Sequence, residues 1–180
     1  MPRLRFPYLP VPGGPREILR PVLPLEIVVP GLLVPAPFLG VVDTGAPFSM
    51  FPRYLAEYLG LRIARARRIG VAVMGWSGRA PLVEGFFLRL TGSDASDPAR
   101  AVRVEVRAAA LLVTIPMFES FGLLGQVGFL DRLEEVCVRE REKACEISVR
   151  ERRPPEGRGG EASVVRERPP RWRRRSRRGR

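Results

Sequence analysis

Asp43, Thr44, Gly45 and Ala46 follow directly on the apolar run Phe38-Leu39-Gly40-Val41-Val42. A β-favouring run that ends in an acid, a hydroxyl, a glycine and a small residue delivers one carboxylate to a sharp turn at a fixed place. The same residue types also make ordinary turns, because Asp bonds its own following backbone, so a plain turn stays open on these four residues alone. The rest of the composition bounds the chemistry. The 180 residues include no His and only two Cys, Cys137 and Cys145. Histidine triads and His-containing zinc sites are excluded, and two thiols are a poor metal set, so no metal or cofactor is expected. Hydrolytic chemistry in this chain must be built from carboxylates or something weaker.

A second apolar-glycine element, Gly122-Leu123-Leu124-Gly125-Gln126, lies far downstream. The two elements together resemble the retropepsin-like (retroviral-type) aspartic proteases, in their short bacterial single-domain form. The resemblance runs from about Pro7 to Val149 and is most specific over Val41 to Leu61 and Leu123 to Asp131. It implies an all-β fold: a small closed acid-protease barrel with a flap hairpin and one or two short helices. It also implies that Asp43 is catalytic and that Thr44, Gly45 and Ala46, backed by Leu124 and Gly125, support the catalytic loop.

The chain holds a single Asp-Thr-Gly, so the resemblance implies a homodimer in which Asp43 of each copy meets its mate on a twofold axis. In such a pair Thr44 turns its hydroxyl toward the other subunit, the Gly45 N–H orients the ionised oxygen, and Ala46 avoids crowding. Asp131 is a weaker partner for Asp43, because it falls beyond the second loop where the resembled fold places a helix. Many family members carry a charged residue after the second glycine. Gln126 and Val127 depart from that pattern, and a charged support interaction is expected to be missing. The implied function is an aspartic endopeptidase acting on a peptide or protein substrate; the alternative is a catalytically silent dimerisation or peptide-binding domain.

The elements that must position these residues read as follows. Met1 to Pro15 is an irregular lead-in, with Tyr8-Leu9-Pro10-Val11 as a short edge strand, where proline is tolerated; by resemblance it is a candidate for the dimer interface. Ile18 to Val29 carries a broken β pattern. Phe38 to Val42 is apolar on both faces and predicts a central strand. After the turn, Ser49 is a plausible helix cap and Pro52 suits a first helical turn, with Leu55, Tyr58 and Leu59 as the apolar stripe and Gly60 as a left-handed stop.

Arg62 to Arg68 is a basic cluster, read first as a solvated face. Two β-like arms, Ile69 to Val73 and Leu82 to Leu90, flank Met74-Gly75-Trp76-Ser77-Gly78. By position this hairpin is the flap of the resembled enzymes, with Gly75 and Gly78 freeing the tip and Trp76 either covering a substrate residue or packing on its own barrel. Thr91 to Arg100 reads as a surface loop. Val102, Val104 and Val106 alternate with charged residues as a half-buried strand, and Ala108 to Val113 reads as another strand. Phe129 and Leu130 anchor a short helix. Glu135 to Arg139 and Ala144 to Arg150 read as two strands; pairing Arg139 with Ala144 sets Cys137 diagonally near Cys145.

Residues 1 to 150 form one expected domain, and 151 to 180 an Arg/Pro-rich disordered tail. The tail holds 12 Arg and 4 Glu, net +8 of the chain's +12, which leaves the body only mildly basic at +4. The tail could make nonspecific nucleic-acid contacts, but the body's fold needs no polyanionic partner. Prolines and charges interrupt the first twenty residues, and the longest uncharged apolar run, Ile27 to Val42, is short for a span and broken by Pro30, Pro35 and Pro37. The expectation is therefore a cytoplasmic protein with no transmembrane span and with reduced thiols.

Overall fold

A computed structural model of the chain describes residues 3–12, 17–32, 36–73, 76–115 and 121–149. The expectations for Met74, Gly75 and the tail after residue 150 lie outside these residues.

Among the described residues, twelve strands and one short α-helix follow in chain order: β1 (Arg3–Pro7), β2 (Leu9–Pro12), β3 (Glu17–Arg20), β4 (Val22–Val28), β5 (Ala36–Val42), β6 (Met50–Pro52), α1 (Tyr54–Tyr58), β7 (Arg68–Val73), β8 (Trp76–Asp94), β9 (Ala101–Val113), β10 (Gly122–Leu124), β11 (Leu133–Arg139) and β12 (Ala144–Val149). A 3-10 turn, Leu130–Arg132, stands where a second helix was expected. Six strands close a barrel in the order β8-β4-β5-β10-β6-β9, with β9 returning to β8. Closure leaves no free sheet edge within that ring. The fold is all-β, a closed six-stranded barrel with extra strands and one short helix.

The 19-residue β8 ties the ring to its additions. Its first third pairs with β7, its middle with β4 and β9, and its end with β1. A bulge between Glu84 and Phe86 falls at Gly85, whose φ of +87° suits a residue without a Cβ. The segment 101–113 is one continuous strand rather than two, and β8 runs through Thr91 to Asp94, so the expected loop is shorter, at residues 95–100.

The lead-in is not irregular throughout. β1 is paired on both sides, by β12 and β8, because Leu4 and Phe6 alternate inward and are buried. Leu4 and Phe6 join Leu25, Ile27, Phe86, Leu88 and Leu90 in the main core cluster. There the Phe51 ring lies 5.1 Å from Phe38 and 6.0 Å from Phe86. The Arg139↔Ala144 register holds, which places Cys137 opposite Glu146 and Cys145 opposite Val138, and both cysteines are free.

The helix also departs from expectation. Pro52 ends β6, the helix begins at Tyr54 without a side-chain cap, and Tyr58 is 66% exposed, while Leu55, Ala56 and Leu59 are buried. With only five residues, its inward face is set by contacts with the barrel rather than by a full apolar stripe. Gly60 does adopt a left-handed φ of +61°. Among the described residues no helix is long and apolar enough to cross a membrane.

Candidate active site

Asp43 leaves the end of β5, which lies between β4 and β10, so the central placement holds. Its outward apolar face is not covered, since Leu39 is 41% exposed. The strand β10 is inserted between β5, with which it runs parallel, and β6, with which it runs antiparallel. Leu124 is paired with Val42, and the Leu124 carbonyl accepts the Asp43 N–H at 3.1 Å. The second loop thereby fixes the backbone of the first.

Close approach makes this possible. A Cβ on Gly40 would lie 2.7 Å from the Leu124 side chain, so the absent side chain on β5 is the space that the fully buried Leu124 fills. At Gly125 a Cβ would fall on the Phe48 carbonyl and within 2.8 Å of the Ala46 oxygen. The two loops are packed backbone to backbone, which only glycine permits there.

Within the first loop, the Gly45 N–H donates to Asp43 Oδ1 at 2.9 Å, and the Ala46 N–H donates to the Asp43 carbonyl at 3.2 Å. The first contact holds one carboxylate oxygen in place. Thr44 and Gly45 are exposed at the loop's crest, whereas Ala46 is buried in a small second cluster with Met50, Ala80, Leu111, Val113 and Ile115.

Ser49 is not a helix cap. It is buried at 1% exposure, and its Oγ accepts the Gly125 N–H at 3.1 Å, so it joins the two loops. A hydroxyl within the apolar run Phe48-Ser49-Met50-Phe51 must find a partner once buried, and that was a usable signal.

Gln126 also has a role its sequence did not announce. Its side-chain amide donates to the Thr44 carbonyl at 2.8 Å, and its N–H donates to the Ala46 carbonyl at 2.9 Å. A polar support stands where a charged one was expected to be missing. Asp131 accepts the Gly128 N–H at 3.0 Å and holds the turn after this loop, with Arg132 beside it at 3.4 Å. It lines neither cavity at Asp43.

Two cavities share Asp43 as a wall. A cleft of about 260 Å³ runs between the loop and β7, with Phe48, Val71, Val73, Leu111 and Leu123 giving it an apolar lining. Asp43 is its one ionisable group among the described residues. A larger groove of about 810 Å³ lies beside it, bounded by β3, the end of β5 and the β11–β12 turn.

The arms β7 and β8 do form a hairpin, paired from Arg68↔Pro81 to Val73↔Trp76. Val71, Val73 and Trp76 pack toward the second cluster, and Ser77 is exposed. Gly78 is a strand residue opposite Val71, not a freely turning tip; a Cβ on it would lie 2.7 Å from the Trp76 ring, so its role is to make room for the indole.

No family model matches the chain. No curated protein matches it either. Among solved structures, the crystal structure of a retropepsin-like aspartic protease from Rickettsia conorii is similar over 70% of this chain and 87% of that chain, at 12% identity and a TM-score of 0.40.

Proposed function

We propose that this chain is one half of an aspartic-type endopeptidase, with the peptide bound between β7 and the Asp43 loop and the site completed by Asp43 of a second copy. The observation that carries this reading is the setting of Asp43: its backbone is pinned by Leu124, one carboxylate oxygen is held by Gly45, and its side chain borders an apolar cleft roofed by a hairpin. The Asp-Thr-Gly-Ala run and the Leu-Leu-Gly run behind it support the same reading.

Hydrolysis by carboxylates alone needs two of them. Crowding two like charges keeps one protonated while the other stays ionised, and the pair titrates as a unit. The ionised member takes a proton from water as its oxygen attacks the peptide carbonyl, and the protonated member gives its proton to the carbonyl oxygen. Collapse of the tetrahedral species breaks the C–N bond with a proton delivered to nitrogen, so no covalent enzyme intermediate forms. Ala46 and Gly45 keep the floor low enough for water and substrate to reach the acid. Val71 and Val73 of β7 wall the cleft and exclude bulk solvent, which strengthens the electrostatics.

The test is cleavage of an unstructured protein at mildly acidic pH by the full chain and by Asp43→Asn. The expected result is cleavage by the parent, with a bell-shaped pH profile, and loss below detection in the variant with folding intact. Cleavage retained in full by Asp43→Asn would end the proposal. A parent that binds peptides without cutting them points to the silent binding domain, which the lone acid in the cleft also suits.

A further inference from the structure

Outside the tail, the positive charge of this chain is gathered in one stretch. Residues 53–79 hold six arginines, Arg53, Arg62, Arg65, Arg67, Arg68 and Arg79, against one acid, Glu57, a net of +5. The first 150 residues together net +4, so the rest of them net −1. All six arginines are exposed. Elsewhere on the body Arg3, Arg5, Arg89 and Arg139 each sit against a glutamate, whereas none of the six forms an ion pair among the described residues.

The fold aims this stretch at solvent. Leu61 and Ile63 pack against the main core and Ile69 against the second cluster, so the arginines between them turn outward. A turn closed by the Ala66 N–H on the Ile63 carbonyl carries Arg65. Along β7 the alternation puts Arg68, Gly70 and Ala72 on one face, with Arg79 opposite Gly70 and donating to the Arg68 carbonyl at 3.3 Å. A Cβ on Gly70 would meet nothing within 4 Å, so this face is open beside the two guanidinium groups. Just upstream, α1 presents Tyr54 and Tyr58 one turn apart, 50% and 66% exposed. The Leu61 N–H donates to the Ala56 carbonyl at 2.8 Å, which keeps Arg62 next to the helix end.

We infer that this surface binds single-stranded nucleic acid, with the arginines on phosphates and the tyrosine rings stacked on bases. The inference does not rest on the peptidase reading. Cations without counter-charges repel one another, and a polyanion relieves that repulsion while releasing its own counterions. A guanidinium fork also matches two phosphate oxygens at once. Phosphate contacts by themselves would suit a duplex equally; the tyrosines favour a single strand, because exposed rings beside a basic surface accept unstacked bases, which a duplex keeps within its own stack. Leu61, Ile63 and Ile69 are committed to the core and are not offered as apolar anchors to an acidic protein.

The experiment follows the fluorescence anisotropy of a labelled oligothymidylate of about fifteen nucleotides, long enough to fill one site, titrated with the full chain at several salt concentrations. The parent is compared with Arg62→Gln/Arg65→Gln/Arg68→Gln and with Arg103→Gln/Arg107→Gln/Arg141→Gln, which removes the same charge from exposed positions elsewhere. Both triples leave the tail whole. Circular dichroism checks folding, and Arg62→Gln/Arg65→Gln serves the same comparison if the first triple unfolds. The expected result is binding by the parent, at least tenfold weaker binding by the first triple, and a loss under about threefold in the second. The log–log salt slope of the first triple should be shallower by about 2, the loss of roughly three phosphate contacts on a single strand. Tyr58→Ser should weaken binding about fivefold or more and Tyr58→Phe restore it, since stacking needs the ring and not the hydroxyl. No binding, equal losses in the two triples, or a first triple that binds like the parent overturns the inference. So does an indifferent Tyr58→Ser, and so does polyglutamate displacing the label as well as unlabelled oligothymidylate does, which would assign the surface to an acidic protein.

Discussion

The Gln126 side chain and the Thr44 carbonyl meet at 2.8 Å across 82 positions of sequence. This contact reaches the loop crest directly, next to the acid and one residue from the Gly45 N–H that holds Asp43 Oδ1. Replacing it leaves the barrel's packing untouched and loosens only the crest. We expect Gln126→Ala to lower kcat roughly tenfold with KM nearly unchanged, and to cost about 1 kcal/mol, the usual net worth of one hydrogen bond. Gln126→Lys, which can still donate to the carbonyl, should restore most of kcat. Steady-state kinetics with thermal melts check this, and equal losses in both variants would assign Gln126 no positioning role.

Gly125 sits where the two loops touch. Adding a methyl group drives it onto the Phe48 and Ala46 carbonyls, in a loop that the Gln126 and Val127 N–H groups hold down by hydrogen bonds to the Ala46 and Pro47 carbonyls. Gly125→Ala should destabilise the fold by about 3 kcal/mol or more, in the range of overpacked sites. Urea titration reads this, and a loss under about 0.5 kcal/mol, as for a neutral surface change, would contradict the packing described here.

Glu146 is 4% exposed and surrounded by arginines: Arg5 donates to Oε1 at 3.0 Å, Arg139 Nε lies 2.9 Å from the same oxygen, and Arg3 lies 3.7 Å from Oε2. The Arg139 contact, with the charges of Arg5 and Arg3, holds the carboxyl below its ordinary value against the opposing effect of burial. A carboxylate whose folded pKa is depressed stabilises the fold above its unfolded value, about 4.3, and that contribution fades as pH falls through the folded value. The parent should therefore lose more stability between neutral pH and strong acid than Glu146→Gln does. Melting temperatures across that window test it, and parallel curves would remove Glu146 from the acid response.

Cys145 is fully buried, and burial first, then Cys137 and Glu146, pushes its thiol up to about 11. It remains protonated and shielded at neutral pH, when only the thiolate is a nucleophile. Iodoacetamide at pH 8 should label the half-buried Cys137 and spare Cys145 until the protein is unfolded. Mass spectrometry of digested native protein decides it, and equal labelling of both would show the β11–β12 pair opening readily.

Much of this protein was legible in one dimension because it is carried by local pattern. Val102 to Val106 alternates, and the strand alternates; Asp-Thr-Gly-Ala ends an apolar run, and Asp43 stands at a strand end with Gly45 donating to it. The β11–β12 register followed from the turn between the strands. Period, turn chemistry and close spacing act within a few residues, so the chain states them directly.

What only the tertiary structure decided lies across long separations. Ser49 looked like a cap because Ser caps helices, but burial against Gly125 gives its hydroxyl a stronger claim elsewhere. Gly78 looked like a turn residue, but the Trp76 ring occupies the room its missing Cβ leaves. The lead-in looked irregular because the partners of β1, in β8 and β12, lie about ninety and one hundred and forty residues away. Gln126 looked like a lost interaction because nothing near it in sequence shows that its amide reaches Thr44. Residue types determined which chemistry this chain can attempt, namely that of carboxylates without histidine. Which side chains hold the acid in place was decided by the insertion of β10 between β5 and β6, because hydrogen bonds and packing depend on distance in space and not along the chain.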